Sequence, residues 1–261
     1  MEINKIYHGD CLEIMKSFPE NYIDLTVTSP PYDNLREYNG YVFDFEGIAK
    51  QLYRITKPGG VVVWVVGDAT VNGSETGTSF KQALYFMSIG FNLHDTMIYK
   101  TSKPPLTHNR YEQAFEYMFI LSKGKPKTFN PILENCKYYG QESKTSTFRH
   151  TGTETGKLHK QAPINKQKIK GNIWEFGSGY GQSAIGKIPF QHPAIFPEKL
   201  ANDHIISWSN KGDLVFDPFC GSGTTCKMAI ENHRNYAGID ISEEYCKIAR
   251  QRISQAQPQL F

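Results

Sequence analysis

The sequence predicts an open, mostly parallel α/β sheet that is doubly wound by helices. Two observations lead to this fold class. Short apolar runs alternate along the chain with longer segments of helical periodicity. The run VVVWVV at residues 61–66 is continuous and β-branched, as expected for a strand that a parallel sheet buries on both faces. A chain of 261 residues is long enough for one large domain, or for one domain with an insertion.

These patterns predict six strands and six helices. The strands are expected at residues 23–28, 60–67, 93–99, 114–121, 214–217 and 235–239. The helices are expected at residues 10–18, 45–56, 79–88, 198–209, 224–232 and 242–255. Several ends carry signals: Asp10 with Glu13 resembles a capping box, the KPGG run at 57–60 stops a helix, and Ser242 precedes an acidic first turn. Asp68, after the valine run, fits either the rim of a site or a cap at a strand end.

The composition is that of a soluble globular protein, with 39% hydrophobic and 21% charged residues. The polar start MEINKIYHGD does not resemble a signal peptide, and we find no apolar run of membrane-spanning length. The five cysteines are odd in number and include no Cys-x-x-Cys pair. We therefore expect a cytoplasmic protein with reduced thiols and without a metal site.

Positive charge is concentrated in one stretch of the chain. Residues 124–172 contain nine Lys and one Arg against three Glu, a local charge of +7, whereas the remainder carries −4. The stretch interrupts the alternation of strands and helices, so we expect an insertion at 124–172 in a domain formed by residues 1–123 and 173–261. Clustered basic residues bind nucleic-acid phosphates, but a solvated loop has the same composition.

Residues 214–240, LVFDPFCGSGTTCKMAIENHRNYAGID, combine a strand, a glycine loop, a helix, a second strand and a terminal acid. Gly221 and Gly223 allow a sharp turn and close approach to a ligand at the start of the helix. Asp240 lies 23 positions after Asp217, near the spacing at which a carboxylate accepts hydrogen bonds from a ribose. This unit predicts a nucleoside ligand.

The details of the loop narrow the choice of ligand. NAD- and FAD-binding folds place a third glycine where this chain has Cys226, and no Gly-Lys-Ser/Thr of a P-loop follows. An acid before the glycines, Asp217, suits a positively charged group better than a pyrophosphate. S-adenosyl-L-methionine, with its ammonium and sulfonium, fits this description.

A second motif, TSPPY at residues 28–32, ends the first predicted strand. Prolines cannot donate to a sheet ladder, and each restricts the residue before it. The motif is therefore either a rigid exit turn or a fixed polar group beside a stacking ring.

TSPPY together with DPFCGSGTT resembles the DNA amino-methyltransferases, and the early Pro-Pro motif with the late cofactor loop is similar to their β group. The segments 8–15, 115–124 and 192–200 resemble the family's adenine-contacting segment, the strand before the target-recognition region and the motif before the cofactor loop. The resemblance implies a Rossmann-like methyltransferase sheet with a basic inserted target-recognition region. It also implies S-adenosyl-L-methionine as cofactor and double-stranded DNA as substrate, and it leaves open a homodimer and a cognate restriction endonuclease as partners.

The resemblance also assigns roles to residues. The Ser29 hydroxyl and the Pro30 carbonyl would accept hydrogen bonds from the amino group of a flipped base, Pro31 would stiffen the turn, and Tyr32 would stack on the base. The implied cofactor-binding residues are Asp10, His192, Phe196, Asp217, Phe219, Gly221, Ser222, Gly223, Thr224, Thr225 and Asp240. Candidate DNA-binding residues are Arg36, in a loop that could form a lid, and Lys144, Arg149, Lys166 and Lys168 in the insertion.

Ser29 favours cytosine-N4 over adenine-N6 as the target, since adenine-N6 enzymes of this type more often carry Asp or Asn at that position. Relatives that methylate RNA or protein glutamine usually carry Asn there. A DNA-binding module without catalysis would need neither the Pro-Pro motif nor the cofactor loop.

Overall fold

In the computed structural model, the described residues are 1–31, 43–101, 111, 113–139, 165–177 and 196–257. Within these ranges twelve strands, β1 to β12, follow in chain order: Lys5–His8, Ile23–Thr28, Thr56–Val66, Thr70–Val71, Ser74–Glu75, Asn92–Lys100, Phe115–Ser122, Leu133–Asn135, Gln167–Ile169, Ile173–Glu175, Leu214–Asp217 and Asn235–Asp240. The described helices, α1 to α6, are Cys11–Lys16, Phe45–Ile55, Thr78–Ser88, Glu198–Trp208, Thr224–Glu231 and Glu243–Ser254.

Eight of these described strands form one sheet in the order β1-β12-β11-β2-β3-β7-β6-β10. The first five are parallel to one another, and β10 is parallel to β6. Strand β7 runs antiparallel to its neighbours β3 and β6. The mostly parallel, Rossmann-like α/β class predicted from the sequence is therefore confirmed.

The direction of winding reverses between β2 and β11. From β2 the chain passes through α2 to β3 on one side, whereas from β11 it passes through α5 to β12 on the other. Because such crossovers are right-handed, α2 and α5 cover opposite faces of the sheet. Helices α1, α2 and α3 contact one another in sequence, as do α4, α5 and α6. Open α/β sheets bind ligands where the carboxyl ends of strands meet at such a reversal.

Strand β3 lies at the centre of the core, and Val61 through Val66 are at most 1% exposed. Its Trp64 is fully buried and its indole N–H donates to Gln82 Oε1 at 2.8 Å. Trp64 also meets the edge of the Phe86 ring of α3, with ring centroids 5.1 Å apart. These contacts explain the continuous apolar run: both faces of β3 are covered.

Each strand and helix expected from the sequence is present, with ends that differ by at most four residues and with two strands, 23–28 and 214–217, matched at both ends. The Asp10 carboxylate caps α1 through the Glu13 N–H, and the Ser242 hydroxyl caps α6 through the Tyr245 N–H. Asp68 accepts hydrogen bonds from the Ser79 N–H and hydroxyl, so it caps the start of helix α3 rather than the end of its own strand. The sequence reading missed β1, β10 and the short strands β4, β5, β8 and β9.

The chain divides into two compact units. The first contains residues Met1–Asn130 and Asn172–Phe261, and the second contains Pro131–Gly171. Residues 124–130, which we expected in the insertion, thus belong to the first unit, where the Asn130 side chain donates to the Ile206 and Ser209 carbonyls. In the second unit, β8 pairs with β9 in antiparallel register.

No helix in the described part of the chain is both long and apolar enough to cross a membrane. The five cysteines are free thiols, and four of them are buried.

Candidate active site

Four neighbouring strands end at one edge of the sheet, and predicted site residues follow each of them. Asp10 comes shortly after β1, Asp240 ends β12, Asp217 ends β11, and Ser29 follows β2 directly. After Ser29, Pro30 is buried and Pro31 is half-buried. The fold therefore brings residues 28–31, the described part of the TSPPY motif, next to the strand that carries the glycine loop, although Ser29 and Phe216 are 187 positions apart along the chain.

The glycine loop turns sharply between β11 and α5. Gly221 and Gly223 have φ angles of 48° and 78°, in the left-handed region that side chains disfavour. The Gly223 N–H donates to the Cys220 carbonyl at 2.7 Å. A Cβ atom on Gly223 would lie 2.8 Å from Cβ of Ala249 on α6, so this position is held by packing as well as by backbone conformation.

Asp240 connects the loop to the end of β12. One carboxylate oxygen accepts the Gly221 N–H at 2.9 Å, and the other accepts the Ser242 N–H at 2.8 Å. Each carboxylate oxygen can accept more than one hydrogen bond, so this arrangement is compatible with the predicted contact to a ribose.

Asp217 is 5% exposed at the centre of the site. Its carboxylate accepts the Thr28 hydroxyl at 2.6 Å and the Phe219 N–H at 3.1 Å. Burial raises the pKa of Asp217 to about 6, although hydrogen bonds from Thr28, Phe219 and Thr225 act to lower it, and the nearby Asp240 charge raises it further. Among the described residues, Asp217 forms no ion pair with a basic side chain, and the charge that acts most on it is that of another acid, Asp240.

Two threonines connect the glycine loop to β2, and the sequence predicts a role in the site only for Thr225. The Thr28 hydroxyl donates to Asp217, and the Thr225 hydroxyl donates to the Val27 carbonyl at 3.1 Å. The Thr225 side chain also acts to lower the pKa of Asp217, and its single proton can serve only one acceptor, Val27 or Asp217, at a time. The signal for Thr28 was present, since it is a polar residue at the end of a buried strand, directly before Ser29.

Helix α5 packs closely against strand β12, and the glycine that allows this close packing lies on the strand instead of on the helix. Cys226 occupies the position of the third glycine in dinucleotide-binding loops, and it faces Gly238 of β12. A Cβ atom on Gly238 would lie 2.9 Å from Cys226 Sγ and 2.7 Å from Ile6 Cδ1. The close packing of helix on strand is thus retained with the small residue on the opposite partner.

A buried arginine of α6 holds the loop from the other side. The Arg252 guanidinium donates to the Ser222 carbonyl and hydroxyl, both at 2.7 Å, and to the Thr224 hydroxyl at 3.1 Å. It also donates to Glu198 of α4 at 2.8 Å. The hydroxyls of Ser222, Thr224 and Thr225 are therefore engaged within the protein, and a direct role of these side chains in cofactor binding stays a prediction.

Three further residues predicted to bind the cofactor lie at the start of a helix or in the glycine loop. Asp10 is half-buried at the start of α1. Phe196 is half-buried next to Pro197, which precedes α4. Phe219, in the loop, meets the edges of the Phe43 and Trp64 rings. All three are only partly buried, and their contacts with a cofactor stay predictions.

Of the candidates for DNA binding, Lys166 and Lys168 are exposed in the second unit. Lys168 pairs with Glu134 across β8 and β9 at 2.9 Å. Five predicted site residues lie outside the described residues: Tyr32, Arg36, Lys144, Arg149 and His192. Within the described ranges, no cluster of His, Cys, Asp and Glu side chains could hold a metal ion.

Comparison with known proteins yields a family and relatives. The family model described as DNA methylase matches residues 23–251. The chain is 60% identical over 234 residues to the orphan methyltransferase M.BamHII of Bacillus amyloliquefaciens, and the match covers 88% of each chain. Among solved structures, it is similar to the cytosine-N4-specific PvuII DNA methyltransferase, with a TM-score of 0.70, 23% identity and coverage of 97% of this chain and 86% of that one. It is also similar to M1.HpyAVI, solved as a complex with S-adenosyl-L-methionine, with a TM-score of 0.62, 22% identity and coverage of 95% and 98%.

Proposed function

Because the chain belongs to the DNA methylase family of N6 and N4 amino-methyltransferases, we propose that it methylates the exocyclic amino nitrogen of a base flipped out of double-stranded DNA, with S-adenosyl-L-methionine as donor. One observation carries the proposal: the TSPPY motif and the glycine loop end adjacent parallel strands and are joined by the hydrogen bond between Thr28 and Asp217. A donor bound at the loop therefore lies next to an acceptor bound at the motif.

The residues present fit this cofactor. A ligand with a positive charge would supply the partner that the described residues do not give to Asp217. Asp240 stands at the adjacent strand end, where it can accept ribose hydroxyls, and Asp10 stands beyond it at the end of β1. The order of the strands thus corresponds to the order of the base, the ribose and the amino-acid tail along this cofactor, with the acceptor motif beside the strand assigned to the tail.

When bound, S-adenosyl-L-methionine supplies an electrophilic methyl group on its sulfonium. The protein's task is to orient a weak nucleophile, because the lone pair of an aromatic amine is delocalised into the ring. We assign the Ser29 hydroxyl and the Pro30 carbonyl as acceptors for the two amino protons, which directs the lone pair toward the methyl group. Tyr32 is assigned to stacking on the flipped base.

We propose cytosine-N4 rather than adenine-N6 as the target, on the basis of Ser29 in the first position of the motif. The same serine disfavours methylation of RNA or of protein glutamine, whose enzymes usually carry Asn there. We further propose that residues 124–172 read the DNA sequence, in line with their charge of +7. A homodimer and a cognate restriction endonuclease stay predictions, and the word orphan in the name of the M.BamHII relative weighs against the endonuclease.

Labelled S-adenosyl-L-methionine offered with duplex DNA, RNA and protein acceptors, followed by mass spectrometry of the products, tests this function. We expect label in N4-methylcytosine from duplex DNA. Label in N6-methyladenine would correct the target base only, whereas label confined to RNA or protein, or no transfer to any acceptor, would refute the proposal.

A further inference from the structure

The buried side of the glycine loop is held by a charge cluster to which the proposed reaction assigns no role. The cluster consists of Arg252 on α6, Glu198 on α4, and Lys227 on α5. The Arg252 side chain is 4% exposed, and those of Glu198 and Lys227 are 12% and 17% exposed. Placing an arginine out of water is costly unless its donors are satisfied, so this position requires an explanation.

The donors of Arg252 are directed mainly at the loop. One terminal nitrogen, Nη1, reaches the Ser222 carbonyl, the Ser222 hydroxyl and the Thr224 hydroxyl. The other, Nη2, reaches Glu198 Oε1, which also accepts from Lys227 at 2.8 Å. The planar fork of a guanidinium can make both sets of contacts at once, which a lysine ammonium cannot do in the same geometry.

The contacts of Arg252 complete the restraint of the turn. Gly221 is held through its N–H by Asp240, and Gly223 is held through its N–H by the Cys220 carbonyl. Ser222, between them, is held through its carbonyl and its hydroxyl by Arg252. The orientation of the peptide between Ser222 and Gly223 thus depends on a residue 30 positions away.

We propose that Arg252 is a positioning residue for cofactor binding: with Glu198 as its counter-charge, it holds the Ser222–Thr224 turn in the conformation that receives S-adenosyl-L-methionine. This inference rests on the proposed function, since it assumes that the loop binds this cofactor. It extends the site to the last described helix, α6, and to α4.

The substitution Arg252→Lys tests it, because it keeps the charge and removes the fork. Arg250→Lys is the matched control: it is the same exchange on the same helix, at an exposed side chain that pairs with Glu243. Loss of one charge-assisted hydrogen bond to the loop predicts that the Kd for S-adenosyl-L-methionine, measured by calorimetry well below the melting temperature, rises about 10- to 100-fold. The KM for the cofactor should rise in parallel, whereas kcat at saturating cofactor and the Kd for DNA should change by less than about threefold.

Hydrogen exchange supplies a second measurement, in which the loop peptide should exchange faster in Arg252→Lys and at the wild-type rate in Arg250→Lys. If Arg252→Lys does not fold, Glu198→Gln removes the counter-charge while keeping an acceptor, and it should raise the cofactor Kd severalfold. A folded Arg252→Lys or Glu198→Gln protein with unchanged cofactor Kd would overturn the inference and leave the function intact. A wild-type protein that does not bind S-adenosyl-L-methionine would instead refute the function on which it rests.

Discussion

Asp217 gives a prediction in which stability and ligand binding change in opposite directions. Burial raises the pKa of this acid from 3.8 to about 6, a difference of about two units. Below about pH 3 the carboxyl is mostly protonated in both the folded and the unfolded chain. As the pH rises, the unfolded chain loses its proton first, so the folded state loses stability until the pH passes about 6. At 1.36 kcal/mol per unit, ionised Asp217 costs the ligand-free protein about 3 kcal/mol at pH 8.

The substitution Asp217→Asn removes this charge and keeps an oxygen that can accept the Thr28 hydroxyl. We expect it to raise the free energy of unfolding of the ligand-free protein at pH 8 by up to about 3 kcal/mol, with the difference vanishing toward pH 3. Urea denaturation at a series of pH values measures this. Asp203→Asn is the matched control, since that buried aspartate is paired with Lys199 at 3.1 Å and its neutralisation should not stabilise the protein.

The charge of Asp217 should have the opposite effect on cofactor binding, because it destabilises the ligand-free protein but attracts a cationic ligand. A cationic ligand next to Asp217 lowers its pKa, so the wild-type protein should release up to about half a proton on binding S-adenosyl-L-methionine at pH 6, release more toward pH 5, and lose affinity below pH 6. Calorimetry in two buffers of different ionisation enthalpy measures the release. Asp217→Asn should bind more weakly and release no proton. Thr28→Val removes a hydrogen bond that lowers the pKa of Asp217, so it should move the release to higher pH.

The reasoning fails if Asp217→Asn destabilises the ligand-free protein equally at pH 4 and pH 8, since burial of an uncompensated charge could not then be its main effect. It also fails if wild-type binding releases no proton between pH 5 and 7 while Asp217→Asn binds normally. The first result would refute the account of how Asp217 affects stability, and the second would refute the placement of the cationic ligand next to Asp217.

Three further predictions concern the acceptor motif, the DNA and the sheet. Ser29→Ala should lower the single-turnover methylation rate by at most about 10²–10³-fold at saturating cofactor without changing cofactor affinity. A wild-type rate in this variant would mean that the motif is only a structural turn. Lys166→Gln should reduce by about one the slope of the logarithm of the DNA-binding constant against the logarithm of the salt concentration. Lys168→Gln should reduce this slope by less, because Glu134 already pairs with Lys168. Equal slopes in the wild type and both variants would mean that these charges are only solvated and do not contact DNA. Gly238→Ala should lower the free energy of unfolding, measured by urea denaturation, by about 1–3 kcal/mol, and by less when Cys226 is also replaced by Ala. Additive effects of the two substitutions would exclude a close contact between residues 226 and 238.

Both the fold class and the long elements could be predicted from the sequence, because each depends on local patterns. The valine run of β3, the caps at Asp10 and Ser242 and the glycines of the loop act on their own segments, and the structure contains each. The short strands β1 and β10 were missed because prediction depends on these local patterns. A segment of three or four residues has too little periodicity to be recognised, and only pairing with a neighbouring strand defines it.

The residues that lie under the loop could not be predicted in this way. Arg252 reads as an ordinary charge in the last turn of a helix, and Gly238 reads as a weak point in a strand. Their contacts are with residues 30 and 12 positions away, which the sheet order and the packing of α6 bring together. The raised pKa of Asp217 has the same origin, because burial depends on what covers a residue rather than on its neighbours in the chain. The sequence by itself determined which groups can do the chemistry; only the tertiary structure decided which side chains hold them in place, since that depends on contacts between distant segments.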